Sequence, residues 1–380
     1  MNLLNKTTWV VASLLAATSA FAQDKCAPKQ EKCCTPCPAP CDFKEMMPGM
    51  PGYNAPSRIN VCGNWDLYTD ASFIYWQIAQ DNMAFALANQ NTQAQAATPG
   101  IIGSFTQMDF DYKPGFQVGV GMNYDHDNWD SYAEYTRIHG TNSSSASADT
   151  GRALLGNWGS NRLLARGQAF SSASASFKTN LDFVDWVLGR SYFVGKNLTF
   201  HPVVGVRGAW ITQNMSVHYK NPVAGTTGDS TILSPVCSLD TYSRVHSWGV
   251  GARTGVETNW LLGQGIRLYG NGYADMLYTK YKLQNKSIFT NSVNNTQYVI
   301  SKDRIGAVRT HLDLELGFGW GSYFDNNNWH IDLSAGYGFQ VFFNQNMFRN
   351  SNDDIVVASG CVANGDMTAQ GLTAKVRIDF

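Results

Sequence analysis

The last nine residues constrain the fold more than any other segment. Leu372, Ala374, Val376, Ile378 and Phe380 alternate with Thr373, Lys375, Arg377 and Asp379. Successive side chains of a β-strand point to opposite faces. The segment therefore carries one wholly apolar face and one bearing two cations and an anion. An edge strand of a soluble sandwich alternates in the same way. An aromatic residue in last place, with no overhang, favours a strand that closes a barrel.

The same period recurs from residue 63 onward and defines ten candidate strands. The first runs near 65–77, with Trp65, Leu67, Ala71, Phe73 and Tyr75 on one face. In the second, Phe110, Tyr112, Pro114, Phe116, Val118, Val120, Met122 and Tyr124 alternate with polar residues and glycines. The third, 129–138, is mixed and its faces stay unassigned. The fourth, 177–192, changes face near Phe183-Val184, which reads as a bulge. The fifth, sixth and seventh turn Val204, Val206, Trp210, Trp248, Val250, Trp260, Met276 and Tyr278 outward, against inward His201, Arg207, Arg253, Glu257, Arg267 and Asp275. The eighth sets Leu312, Leu314, Leu316 and Phe318 against Arg309, His311, Asp313 and Glu315. The ninth sets Ile331, Leu333, Tyr337 and Phe339 against His330, Asp332 and Gln340. The C-terminal segment is the tenth.

These apolar faces end in Trp or Tyr, where an aromatic girdle meets a membrane interface. A sandwich core about 10 Å thick has no use for so many complete apolar faces. Connections alternate in length. Asp125-His126-Asp127-Asn128, Gly195-Lys196-Asn197, Leu262-Gly263-Gln264-Gly265 and Asp325-Asn326-Asn327-Asn328 are short and rich in turn formers. The stretches 78–108, 139–176, 212–243, 281–306 and 344–370 read as long loops. The expectation is an all-β fold: a transmembrane antiparallel up-and-down β-barrel of about ten to twelve strands over 63–380. Its long loops would be extracellular and its short turns and both termini periplasmic.

Residues 1–22 read as a signal peptide, with Lys6, the apolar run 10–17 and an Ala20-Phe21-Ala22 cleavage site. Residues 23–62 form a Cys/Pro-rich periplasmic segment holding Cys26, Cys33, Cys34, Cys37, Cys41 and Cys62, with Cys237 and Cys361 alone further on. In an exported chain this reads as disulfide chemistry. Zinc is the competing reading, from the Cys34-x-x-Cys37 spacing, but neither a second such pair nor a nearby His supports it. With 13% aromatic residues, 15% charged residues and a formal net charge of −1, the chain lacks the basic surface that nucleic acid requires.

Chemical motifs are weak. The 189–196 stretch departs from a phosphate loop in spacing and in its missing Ser or Thr. His311, Asp313 and Glu315 share a face opposite His330 and Asp332, an arrangement an outer-membrane hydrolase would use, but a polar lumen needs the same residues. No enzyme activity, metal or cofactor is expected. Arg207, Arg253, Glu257, Arg267, Asp275, Arg309, Asp313, Glu315 and Asp332 are expected to line a pore of mixed sign. Within 139–176, two flexible serine runs flank Leu154, Leu155, Trp158, Leu163 and Leu164. These read as a short amphipathic helix, either constricting the lumen or capping the rim.

Several segments resemble the Legionella-type major outer membrane protein family, including the related porins of chlamydia-related bacteria. They are Leu67-Tyr68-Thr69-Asp70-Ala71-Ser72-Phe73-Ile74-Tyr75-Trp76, Lys113-Pro114-Gly115-Phe116 with Gly119-Val120-Gly121, Leu181-Asp182-Phe183-Val184-Asp185, Pro202-Val203-Val204-Gly205-Val206-Arg207 and the 249–260 strand with its following turn. The resemblance implies a pore-forming protein of the bacterial outer membrane that passes small hydrophilic solutes and contacts outer-membrane lipid. It carries no catalytic residues. Phe380 is similar to the C-terminal assembly signal of such proteins. The cysteine tract is similar to disulfide-linked envelopes, which implies linked envelope proteins or a homo-oligomer as partners. The alternative is a structural or adhesin barrel that displays surface loops.

Overall fold

The computed structural model describes residues 54–62, 66–89, 103–124, 127–149, 152–158, 169–222, 236–291, 296–350, 361–362 and 365–380. The leader, the cysteine tract up to Cys41 and Trp65 lie outside them. Cys62 alone of the six tract cysteines is described, and it is exposed.

Ten strands form the barrel: β1 Leu67–Gln80, β2 Tyr112–Asn123, β3 Trp129–Ser147, β4 Ala169–Arg190, β5 Leu198–Pro222, β6 Val236–Gly263, β7 Ile266–Asn291, β8 Thr296–Phe324, β9 Trp329–Phe342 and β10 Met367–Asp379. Each pairs antiparallel with its chain neighbour, and β1 pairs with β10 from Tyr68↔Asp379 to Gln80↔Met367, which closes the sheet. Phe380 extends this seam: its N–H donates to Leu67 O at 2.9 Å, and its ring lies 5.7 Å from that of Trp329.

Following partners once around the sheet from Asp379 leads through Tyr68, Gly121, Tyr132, Val187, Gly205, Arg253, Asp275, His311 and Phe342 to Met367, twelve residues back along the same strand. Ten strands with a stagger of twelve tilt by roughly 40° and place the backbone about 10 Å from the axis. Side chains nearly fill a lumen of that width.

The outward face is the apolar belt expected of a membrane barrel. Leu316, Phe318, Met276 and Val308 are 58–63% exposed, far more contiguous apolar surface than water tolerates. Trp129, Trp260, Trp320 and Trp329 ring the short-turn end, while Trp210 and Trp248 mark the other edge. The turns follow local chemistry. Gly263 and Gly265 have φ of +107° and +77° around Gln264 at +54°, and Asp325, Asn326 and Asn327 are all left-handed, a region that Gly, Asn and Asp enter cheaply.

Three expectations change. The described parts of 139–176, 212–243 and 281–306 are mostly strand: β3 to β8 run beyond the belt, with Ser143–Ser147 paired against Ser172–Ser176 and β7 separated from β8 by residues 292–295 alone. Serines there carry no apolar period, so the backbone ladder leaves no trace in the hydrophobic pattern. Leu154 and Leu155 lie in a short strand, Ala153–Gly156, and no described residue beside it is helical; residues 150–151 and 159–168, with Leu163 and Leu164, lie outside the described residues. In β4 the register runs unbroken past Phe183-Val184. Both faces change chemistry there. Phe177, Leu181 and Phe183 point inward above Asp185, while Val184 and Trp186 point outward below Asp182.

Residues 54–62 cross the short-turn mouth of the barrel. Ser57 N–H donates to Ser191 O at 3.3 Å, and Phe193 N–H to Ala55 O at 2.9 Å, beside the β4–β5 turn. At the other end of the segment, Cys62 N–H donates to Asn327 O at 2.7 Å in the β8–β9 turn.

Candidate functional site: the occluded lumen

The inward face is stacked in layers, because inward positions change from charged to apolar along each strand. The lower layers are ion-paired. Arg207, 3% exposed, donates Nε and Nη2 to the two oxygens of Asp185, both at 2.6 Å, and Nη1 to Asp275 at 3.0 Å. Arg253 reaches Asp275 at 2.8 Å and Asp313 at 3.3 Å, with its guanidinium 4.0 Å above the Tyr273 ring. His311 Nδ1 donates to Asp275 at 2.5 Å and its ring lies 3.9 Å from Phe342. Nearer the short-turn mouth, Arg267 grips Asp332 with Nη1 and Nη2 and takes Asn259 Oδ1 at 2.9 Å. Arg377 pairs with Asp379 at 2.6 Å and lies 3.7 Å over the Tyr68 ring. Glu257 accepts from Tyr273 and from His201 at 3.0 Å, and His201 also reaches Asp130 at 2.7 Å. Lys375 sits between Asp70 at 3.3 Å and Glu134 at 3.6 Å. Charges taken from water need such partners. A chamber of about 300 Å3 remains among them, bounded by Glu134, Glu257, Asp313, Glu315 and Lys375, with Arg58 of the crossing segment below.

Above this chamber the inward face turns apolar. Ile74, Trp76, Ile138, Leu181, Phe183, Ile211, Leu277 and Phe342 are each under 5% exposed and form one cluster. The void left between Ala209, Ile211, Leu277 and Phe342, with Ser247, Thr279, His311 and Gln345 also on its wall, is about 10 Å3, the lower limit for one water molecule. This layer is a seal.

Above the seal lies an apolar crown. Inward Phe177, Met215, Tyr219, Leu239 and Leu283 of the long strands pack with Phe85, Leu154, Trp158 and Phe348 from the connections. The Ala86–Asn89 strand pairs with Gly103–Thr106 and with Ala153–Gly156, folding the connections over the mouth. Tyr219 Oη ties them together: it accepts the Asn157 and Trp158 N–H groups, both at 3.1 Å, and donates to Phe85 O. Burial pushes this hydroxyl above the ordinary tyrosine range.

Eight of the nine residues expected to line a pore point into the lumen below the seal. Arg309 stands apart from them, beside the seal, with Nε donating to Tyr281 Oη at 3.3 Å and the guanidinium near Met347. The pattern misses Asp130, Tyr132 and Glu134, because β3 has no clean apolar face, and Asp185, because both faces of β4 change chemistry at Phe183-Val184. The Arg207 partner would have followed from reading β4 as one continuous strand. His311, a hydrolase candidate by spacing, is buried in the ion-pair layer. Among the described residues no cluster of three or more His, Cys, Asp or Glu fits a metal ion.

The outer membrane protease OmpT of Escherichia coli is similar at 8% identity, with 85% of this chain and 99% of that one covered and a TM-score of 0.41. A FadL homologue of Pseudomonas aeruginosa is similar at 9% identity, with 83% and 89% covered and a TM-score of 0.25. The attachment invasion locus protein Ail of Yersinia pestis is similar at 6% identity, with 83% and 99% covered and a TM-score of 0.21. No curated protein matches the sequence. Residues 60–380 match the family described as the Legionella pneumophila major outer membrane protein precursor. The closed ten-stranded barrel and this match together make the chain a member of that family and a protein of the bacterial outer membrane.

Proposed function

We propose that this chain is a closed-lumen barrel that serves the outer membrane structurally, presents its crown at the surface, and passes small hydrophilic solutes only when its seal opens. The apolar seal carries the reading. Ions and sugars do not cross a close-packed layer built mainly of Ile, Leu and Phe side chains, and the arginines beneath it are committed to carboxylates. The pore reading keeps one specific support, the chamber of about 300 Å3 lined by both signs of charge, which suits polar solutes. No activity on a covalent substrate is part of the proposal.

The test is conductance of the refolded protein in planar lipid bilayers. The wild type is expected to insert without steps, and Phe183→Ala with Phe342→Ala is expected to produce them. Steady steps from the wild type at low voltage would sink the closed reading in favour of a standing diffusion pore. The structural reading includes a covalent link to envelope neighbours through the N-terminal cysteines. It requires high-molecular-weight ladders on non-reducing gels that collapse with reductant.

A further inference from the structure

Outside the barrel, just above the belt, β6 to β8 present a one-sided patch of charge. Exposed outward positions carry Arg244 on β6, Lys280 and Lys282 on β7, and Lys302 and Arg304 on β8, with Lys286 half-buried further along β7. The pairing sets His246, Lys282 and Arg304 in one row, and Arg244, Gln284 and Lys302 in the next. Adjacent rows of outward side chains lie about 7 Å apart along a strand. The patch begins at the aromatic edge: Lys280 Nζ lies 5.5 Å over the Trp248 ring and 6.0 Å from that of Tyr278.

No acid answers these charges among the described residues. Asp240, the outward acid on β6, is taken by His218 at 2.6 Å. Asp303 turns inward to Arg349. Lys282 and Arg304 are direct cross-strand partners, an arrangement that repels unless an anion lies between or over the two. Burial, together with Arg244 and Lys282, holds the nearby His246 imidazole below its ordinary value.

We propose that this patch binds the phosphorylated headgroup of an outer-leaflet glycolipid. Three features select that occupant. The cations stand at headgroup height, one step beyond Trp210 and Trp248. Arginine and lysine side by side suit phosphate oxygens. The surface continues the lipid-facing belt without a break, so a lipid whose chains lie on Val250, Met276 and Val308 delivers its headgroup to Lys282 and Arg304. This inference rests on the membrane placement and not on the state of the lumen.

The experiment uses the full chain refolded into vesicles containing diphosphoryl lipid A, or the same lipid with its phosphates removed. Detergent extraction and native mass spectrometry then count retained lipid. The wild type is expected to retain the diphosphoryl form about tenfold better than the dephosphorylated form, in line with the pull of several surface cations. Arg244→Ser, Lys282→Ser, Lys302→Ser and Arg304→Ser together are expected to abolish that preference. Heat-modifiable migration on gels reports that the variant has folded. In lipid-free micelles the Lys282→Ser, Arg304→Ser protein is expected to melt above the wild type, because the repelling pair is gone. Equal retention of both lipids, an unchanged preference in the variant, or binding of soluble heparin with no preference for lipid A would each overturn the proposal.

Discussion

Arg207 is the residue on which the lumen turns. Its Nε and Nη2 are held by Asp185 and its Nη1 by Asp275. Removing one member of a buried pair leaves the other charge stranded, at a cost of about 3–5 kcal/mol. Arg207→Ala is therefore expected to lower the urea midpoint of the refolded barrel sharply. Arg207→Ala with Asp185→Ala is expected to recover part of the loss; equal loss in both would show that the pair is not the unit. At this scale the sequence was informative only where its faces were clean. Arg207, Arg253 and Asp275 alternate with Val, Trp and Met, so their direction was readable. Asp185 and Glu134 sit where both faces of a strand carry mixed chemistry, and direction there depends on register.

Strands were legible wherever lipid imposes an apolar face, and all ten expected strands exist. Their outer halves were not legible, since beyond the belt both faces meet water or the crown and the period fades. Packing inside the sheet was hidden for another reason. At Gly121 a Cβ would collide with the ring of Tyr68, which stacks on Tyr132 at 5.8 Å between centroids. The glycine reads as a strand defect, yet it makes room for the ring that underlies Arg377. Gly121→Val is expected to cost about 1–3 kcal/mol by overpacking, visible as loss of heat-stable migration at lower temperature. In the crown, Tyr219→Phe strands the Trp158 N–H and leaves the Asn157 N–H only its 3.4 Å bond to Phe85 O, a penalty of about 1–3 kcal/mol. It should appear as faster amide exchange in residues 153–158 with the barrel midpoint nearly unchanged; a global shift instead would mean that crown and barrel unfold together.

For the whole molecule, lumen width follows from strand number and stagger together. The number was readable from alternation. The stagger was not, because it is a property of pairings between distant segments. A stagger of twelve on ten strands gives a lumen that side chains nearly fill, and this sets the expectation for conduction. Deleting residues 54–62 uncovers the short-turn mouth but leaves the seal in place, so the deletion alone should stay silent in bilayers. Combined with Phe183→Ala and Phe342→Ala, it should raise the conductance above that of the two Phe variants alone. Conduction by the deletion alone would place the barrier at the mouth.

The segment across that mouth also keeps time. Its two anchorages, at Ser191 with Phe193 and at Asn327, belong to turns far apart in the chain, neighbours across the opening only after the sheet has rolled up. A chain emerging in order offers the first anchorage well before the second. Docking of the stretch is thus among the last events of assembly, and its resistance to protease during refolding is a clock for closure. That resistance should rise after the β1–β10 seam has formed and never before it.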